Sequence, residues 1–105
     1  MNLNEKAIEA FVNNDYDNAL LYFEKAVSEE KNIQSLNNLA WFLLHIEGEE
    51  LRALALLKEC IKLNPHSHFP YSTIGEIYLN HEQWLDAKKS LLTANKIKTT
   101  NTNYF

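Results

Sequence analysis

The segment Gln83-Trp84-Leu85-Asp86-Ala87-Lys88-Lys89-Ser90-Leu91-Leu92-Thr93-Ala94 is the clearest guide to the architecture of this 105-residue chain, because its pattern occurs three times. Its first alanine, Ala87, has counterparts at Ala53 and Ala19, so the three alanines stand at intervals of 34 residues. Two further sets of residues recur at the same interval. The large apolar residues are Phe23, Leu57 and Leu91, and the small residues are Ala26, Cys60 and Ala94. A fixed period of this length predicts a chain of stacked structural repeats.

The segment upstream of each alanine also repeats and reads as a helix. Leu36, Leu39, Ala40 and Leu43 match Tyr71, Ile74, Gly75 and Tyr78 at an interval of 35 residues. We therefore expect one extra residue in the turn around residues 47–49. Apolar residues at i, i+3, i+4 and i+7 form one stripe along an α-helix. The pattern predicts six helices, at about 2–13, 16–29, 33–46, 50–63, 68–80 and 84–97.

Composition argues against several classes of partner and location. The formal net charge is −4 and Arg52 is the only arginine, so no basic patch exists to attract nucleic acid. No apolar run is long enough for a transmembrane helix, and the first residues do not resemble a signal peptide, so we expect a cytoplasmic protein. A single cysteine, Cys60, cannot form an intramolecular disulfide, as is usual in a reducing compartment. Abundant asparagine and lysine favour an AT-rich, bacterial genome.

Residues that carry chemistry are few. His66 and His68 resemble half of a metal site, but no second pair with ligand spacing follows, so we expect a solvated turn and no metal or cofactor. Cys60 stands where the repeat pattern wants a small residue, and we interpret it as a packing residue. Nothing resembles a phosphate-binding loop, a nucleophile elbow or a catalytic triad. The sequence thus predicts a protein that is not an enzyme.

The repeat pattern resembles the tetratricopeptide repeat, a 34-residue helix–turn–helix unit with the pattern W-x2-L-G-x2-Y…A-x3-F…P. The third repeat carries the resemblance with Tyr71, Ile74, Gly75, Tyr78, Ala87, Leu91 and Ala94. Lys6 and Lys31 depart from the pattern, since the family has a large apolar residue and a proline there. The resemblance implies a single all-α domain over residues 1–105, a right-handed superhelical stack of three antiparallel repeats. We expect repeats at about 1–32, 33–66 and 67–99, with a polar tail at 100–105.

The resemblance further implies a concave groove that binds a protein or peptide. Its predicted residues are Asn4, Ile8, Phe11, Asn37, Asn38, Trp41, Leu44, His45, Phe69, Ser72, Thr73 and Glu76. Several are apolar although they fall outside the stripe that packs the helices, and exposed aromatic residues are typical of interaction sites. The alternative is that neighbouring helices close over Trp41 in so short a stack.

Two further functions can be weighed from the residues. Tetratricopeptide proteins that bind chaperone tails hold a carboxylate with cations, and the matching positions here (Asn4, Ile8, Asn38, Phe69 and Thr73) carry none. Self-assembly is the main alternative to partner binding, because no polar capping helix follows the last repeat. Leu92, Ile97, Tyr104 and Phe105 would then form an uncovered edge through which a homo-oligomeric structural or assembly protein associates.

Overall fold

The computed structural model describes the backbone of residues 1–102 and the side chains of residues 1–100, and in this part it is all-α, with no strand. Its helices are α1 (Leu3–Val12), α2 (Tyr16–Glu29), α3 (Ile33–Phe42), α4 (Glu50–Leu63), α5 (His68–Asn80) and α6 (Trp84–Thr102). The predicted all-α class is therefore confirmed here. Tyr104 and Phe105, expected at an uncovered edge, lie outside the described residues. No helix in the described part is both long and apolar enough to cross a bilayer.

The last helix is longer than predicted. We expected α6 to end near residue 97, and it continues to Thr102. The predicted end relied on the weak helix propensity of the threonines, which costs only tenths of a kcal/mol each. No glycine or proline interrupts the segment, so nothing in the backbone stops the helix earlier.

The repeat interval is visible in the backbone of the turns. Asn14, Gly48 and Glu82 adopt left-handed φ angles of 62°, 69° and 58°, again at intervals of 34 residues. Only glycine takes this conformation without a steric cost. Three different residue types share it, so the hairpin geometry imposes the conformation. Five residues after each lies one of the repeating alanines, all of them buried: Ala19, Ala53 and Ala87.

The second turn holds the extra residue, but not where we expected it. In the first turn the amide of Asp15 donates to the carbonyl of Ala10, five residues back, at 2.8 Å. In the second turn Glu49 donates to Leu43, six residues back, at 2.8 Å. The addition lies in a π-helical turn, Leu43–Glu47, directly after α3. Because a π turn accommodates one residue more than an α turn, the left-handed turn residue and the start of α4 keep the repeat register.

The chain forms two compact units, residues 1–56 and the residues from Leu57 onward. In the first unit, α1 packs against α2 and α2 packs against α3. In the second unit, α5 packs against α6, closely enough that a methyl group added at Gly75 would lie 2.7 Å from Cδ2 of Leu91. The small residue at position 75 therefore sets how closely this second hairpin closes.

Phe42 forms the aromatic centre of the first unit. Its side chain is fully buried, with ring centroids 6.2 Å from Phe11, 6.4 Å from Tyr16 and 5.5 Å from Phe23. We name these three residues of the α1–α2 hairpin the Phe42 seat. At about 25 cal/mol per Å² of apolar area, burying such a ring stabilises the fold by roughly 2–3 kcal/mol.

The start of α3 is held by a capping box. The side chain of Asn32 accepts from the amide of Ser35 at 2.9 Å, and Asn32 donates its own amide to Ser35 Oγ at 3.1 Å. Ser35 is buried, and its hydroxyl also donates to the carbonyl of Glu30 at 2.8 Å. These bonds satisfy amides that the first turn of a helix leaves without intrahelical partners. They fix where α3 begins and hence which of its residues face α1.

Candidate functional site

The first unit brings most of the predicted groove residues onto one surface. We define the α1–α3 surface by its members on α1, on α3 and in the π turn: Asn4, Ile8, Phe11, Asn37, Asn38, Trp41, Leu44 and His45. On α1 these residues are separated by four and three positions, which places them on one helical face. Ile8, Trp41 and His45 are exposed, and the others are partly buried.

Aromatic contacts join the two helices at this surface. The rings of Phe11 and Trp41 meet edge to face, with centroids 5.5 Å apart and an interplanar angle of 85°. The indole also lies 5.0 Å from the imidazole of His45. Trp41 nevertheless remains 45% exposed, so neighbouring helices do not close over it. The indole is held in place from two sides and offers the rest of its surface to solvent, as interface anchors do.

Two amide groups of the same surface have buried atoms without a hydrogen-bond partner. They are Oδ1 of Asn4 on α1 and Nδ2 of Asn38 on α3. Buried polar atoms in folded proteins are nearly always hydrogen-bonded, and leaving one unsatisfied costs about 1–3 kcal/mol. Because both atoms are enclosed by the fold, the surface offers a ligand mainly its aromatic anchor.

The remaining predicted groove residues lie on α5 of the second unit. Phe69 is 57% exposed and stacks on His68, with ring centroids 4.3 Å apart. Thr73 is half-buried, and its hydroxyl donates to the carbonyl of Phe69 at 3.1 Å, within its own helix. Ser72 is half-buried and Glu76 is exposed. Among the predicted groove residues of the second unit, Phe69 is therefore the exposed aromatic side chain.

The second unit also carries an apolar depression of about 450 Å³, and the edge predicted for self-association included only Leu92 of its lining residues. We name it the α6 depression. Its lining residues are Leu79, Trp84, Ala87, Lys88, Leu91, Leu92 and Asn95. Trp84 is 62% exposed, more than Trp41. The missed signal was the spacing on α6, where positions 84, 88, 91, 92 and 95 form one stripe.

The described residues contain no group of three or more histidine, cysteine or acidic side chains placed to hold a metal ion. Cys60 is fully buried, in agreement with its interpretation as a packing residue. Burial, with a smaller contribution from the charge of Glu59, raises the pKa of the Cys60 thiol to about 11. Because the thiolate is the nucleophile, this cysteine is poorly reactive at neutral pH.

Comparison with known proteins does not add a family to these observations. The sequence matches no protein-family model, and a search of curated proteins also found no match. Most of the predicted groove residues lie on the α1–α3 surface.

Proposed function

We propose that this chain is a tetratricopeptide-like repeat protein that binds a protein or peptide and catalyses no reaction. A right-handed superhelical stack of its repeats is part of the proposal. The left-handed turn residues recur every 34 positions, and the repeating alanines are buried. Both observations support the proposal. Because the same fold can serve many functions, the binding role rests on the surface itself.

The observation that carries the proposal is the α1–α3 surface, where a half-exposed indole packs against Phe11 and His45. Trp41 would anchor an apolar side chain of the ligand. Asn4 and Asn38, which are only partly buried, would add polar contacts with its backbone. Ile8, exposed one helical turn after Asn4, would extend the apolar contact.

The test is a selection of binding peptides from a random library displayed on phage, with purified chain as the bait. Wild-type chain is compared with the Trp41→Ala and Leu85→Ala variants. Leu85 is the control, since it is a large apolar residue that is more exposed than Trp41, lies in the other unit and lines neither surface. Truncating an anchor residue costs about 2 kcal/mol or more, so Trp41→Ala should weaken selected peptides by at least about thirtyfold.

Helicity measured by circular dichroism verifies that both variants fold. Binding should survive Leu85→Ala, and Asn38→Ala should weaken it by a smaller factor than Trp41→Ala. Failure to select any peptide whose binding depends on Trp41 would remove the proposed site.

A further inference from the structure

The α6 depression is the counterpart of the Phe42 seat. In the first unit that seat consists of Phe11, Tyr16 and Phe23, and Phe42 of the next helix fills it. Two repeat intervals further along the chain, the corresponding residues are Leu79, Trp84 and Leu91. All three line the α6 depression. The two hairpins thus offer the same position to a following helix, filled in the first unit and open in the second.

The degree of exposure shows the consequence. Phe23 is 5% exposed, whereas its counterpart Leu91 is 38% exposed. Glu24, which forms an ion pair with Arg52 of α4 at 2.8 Å, has the exposed Leu92 as its counterpart. Where the first unit has a charged side chain in an ion pair, the second unit has an exposed leucine. The exposed apolar area of the second unit is larger as a result. Apolar area of this kind marks a surface that binds another element.

We propose that the α6 depression binds an amphipathic α-helix of another protein. The partner helix inserts a large apolar side chain between Leu79, Trp84 and Leu91, as Phe42 does in the first unit, and directs carboxylates toward Lys88. This proposal does not depend on the α1–α3 surface, which lies in the other unit.

The charge of the partner follows from α6. That helix carries Lys88, Lys89, Lys96 and Lys98 against the single acidic residue Asp86, although the whole chain has a net charge of −4. Lys88 lines the depression itself. An acidic helix is attracted to this face and a basic helix is repelled.

A second copy of the chain fits the depression poorly. Counting from the aligned small residues Ala7 and Ala40, α1 has Glu9 where α3 has Phe42, and Lys6 where α3 has Leu39. If α1 of a second copy followed α6 as a next repeat, it would bury Glu9 against an apolar surface, which is costly for an unpaired carboxylate. Pairing two α6 helices would instead bring like charges together. A second copy is therefore not the favoured occupant.

The experiment uses the full chain with Trp41→Phe, which leaves Trp84 as its only tryptophan and weakens the α1–α3 surface. The probe is a synthetic peptide of residues 30–50, the segment that fills the Phe42 seat in this chain and has more acidic than basic residues. The peptide carries Asn37→Lys and Trp41→Glu, and a lactam between the two new side chains holds it helical. The Trp41 substitution also removes the peptide's own indole. We expect a saturable blue shift of the Trp84 emission, and binding about tenfold weaker or more for the same peptide with Phe42→Ala.

Two pairs of variants locate the contact. Leu92→Asp should abolish the shift, whereas Leu85→Asp, on an exposed α6 residue outside the depression, should leave it unchanged. Lys88→Glu should weaken binding several-fold, whereas Lys89→Glu, at a residue that does not line the depression, should weaken it less. Loss of binding with the Leu92 and Lys88 variants alone supports the proposal even if no peptide is found for the α1–α3 surface.

Three results would overturn it. One is the absence of a saturable change in the Trp84 emission at peptide concentrations up to ~1 mM, since a dissociation constant of that size corresponds to only about 4 kcal/mol of binding free energy. Another is sedimentation that shows concentration-dependent dimers of wild-type chain, lost with Leu92→Asp, which would assign the depression to a second copy. The third is a red shift of the Trp84 emission when residues 103–105 are deleted, which would assign it to the chain's own last residues.

Discussion

The hairpin of α1 and α2 and the hairpin of α5 and α6 have matching residues and different surroundings. Both turn through a left-handed residue, Asn14 in one and Glu82 in the other, and both bury the alanine five residues later. In the first hairpin the apolar face of the second helix is covered by Phe42. In the other hairpin the same face is open and lined by Trp84. A repeating residue is thus buried or exposed according to the helix that follows it.

The largest expected effect comes from emptying the Phe42 seat. Phe42→Ala should lower the free energy of unfolding by about 3–5 kcal/mol, because it leaves a cavity against three aromatic rings. Leu91→Ala, at the open counterpart of Phe23, should cost much less, since Leu91 is already partly in water. Urea unfolding followed by circular dichroism measures both. Equal losses would mean that the two hairpins do not differ as described.

A smaller effect is expected where the helices of a hairpin approach most closely. Ala7 in the first hairpin corresponds to Gly75 in the other. Gly75→Ala gains about 1 kcal/mol of helix propensity. It also forces Leu91 to move, because the new Cβ would lie 2.7 Å from Cδ2, and such overpacking costs about 1–3 kcal/mol. We expect a net loss of stability of about 1 kcal/mol.

The double variant provides the control for this effect. In a Leu91→Ala background the steric conflict is absent, so Gly75→Ala should become stabilising by up to ~1 kcal/mol. Thermal and urea unfolding of the four chains give the coupling energy. A coupling near zero would contradict the close contact between α5 and α6.

The smallest effect is expected at the turns. Glu82 holds a φ of 58°, which costs roughly 1 kcal/mol for a residue with a side chain of this kind. Glu82→Gly should therefore raise the free energy of unfolding by up to ~1 kcal/mol. Asn14→Gly should gain less, because asparagine tolerates this conformation better. Destabilisation by Glu82→Gly, measured by thermal unfolding, would show that the side chain has a role that the turn geometry does not reveal.

Much of the helical architecture was predictable from residue spacing. The starts of α2, α3, α4, α5 and α6 agree with the sequence pattern, since local periodicity and turn residues define them. The π turn at Leu43–Glu47 was not predictable, although an extra residue was. A single insertion can be absorbed by a loop or by a wider helical turn, and only packing chooses between them.

The candidate site was likewise predictable from the sequence only in part. Trp41 and Ile8 were expected at a surface because they lie off the packing stripe, and both are exposed. Leu91 was expected to be buried like Phe23 and Leu57, but it is partly exposed. The unsatisfied atoms of Asn4 and Asn38 also had no sequence signal, because hydrogen-bond partners depend on neighbours distant in the chain.

Residue spacing alone predicts the helices, their interval and the small residues at which they approach, because these depend on periodicity and side-chain size within one repeat. Which apolar residues stay exposed depends on tertiary packing. Burial is a property of two elements, and residues 84–92 carry the same pattern as residues 16–24 whether or not a helix covers them. The open α6 depression and the half-exposed indole of Trp41 are both consequences of that dependence.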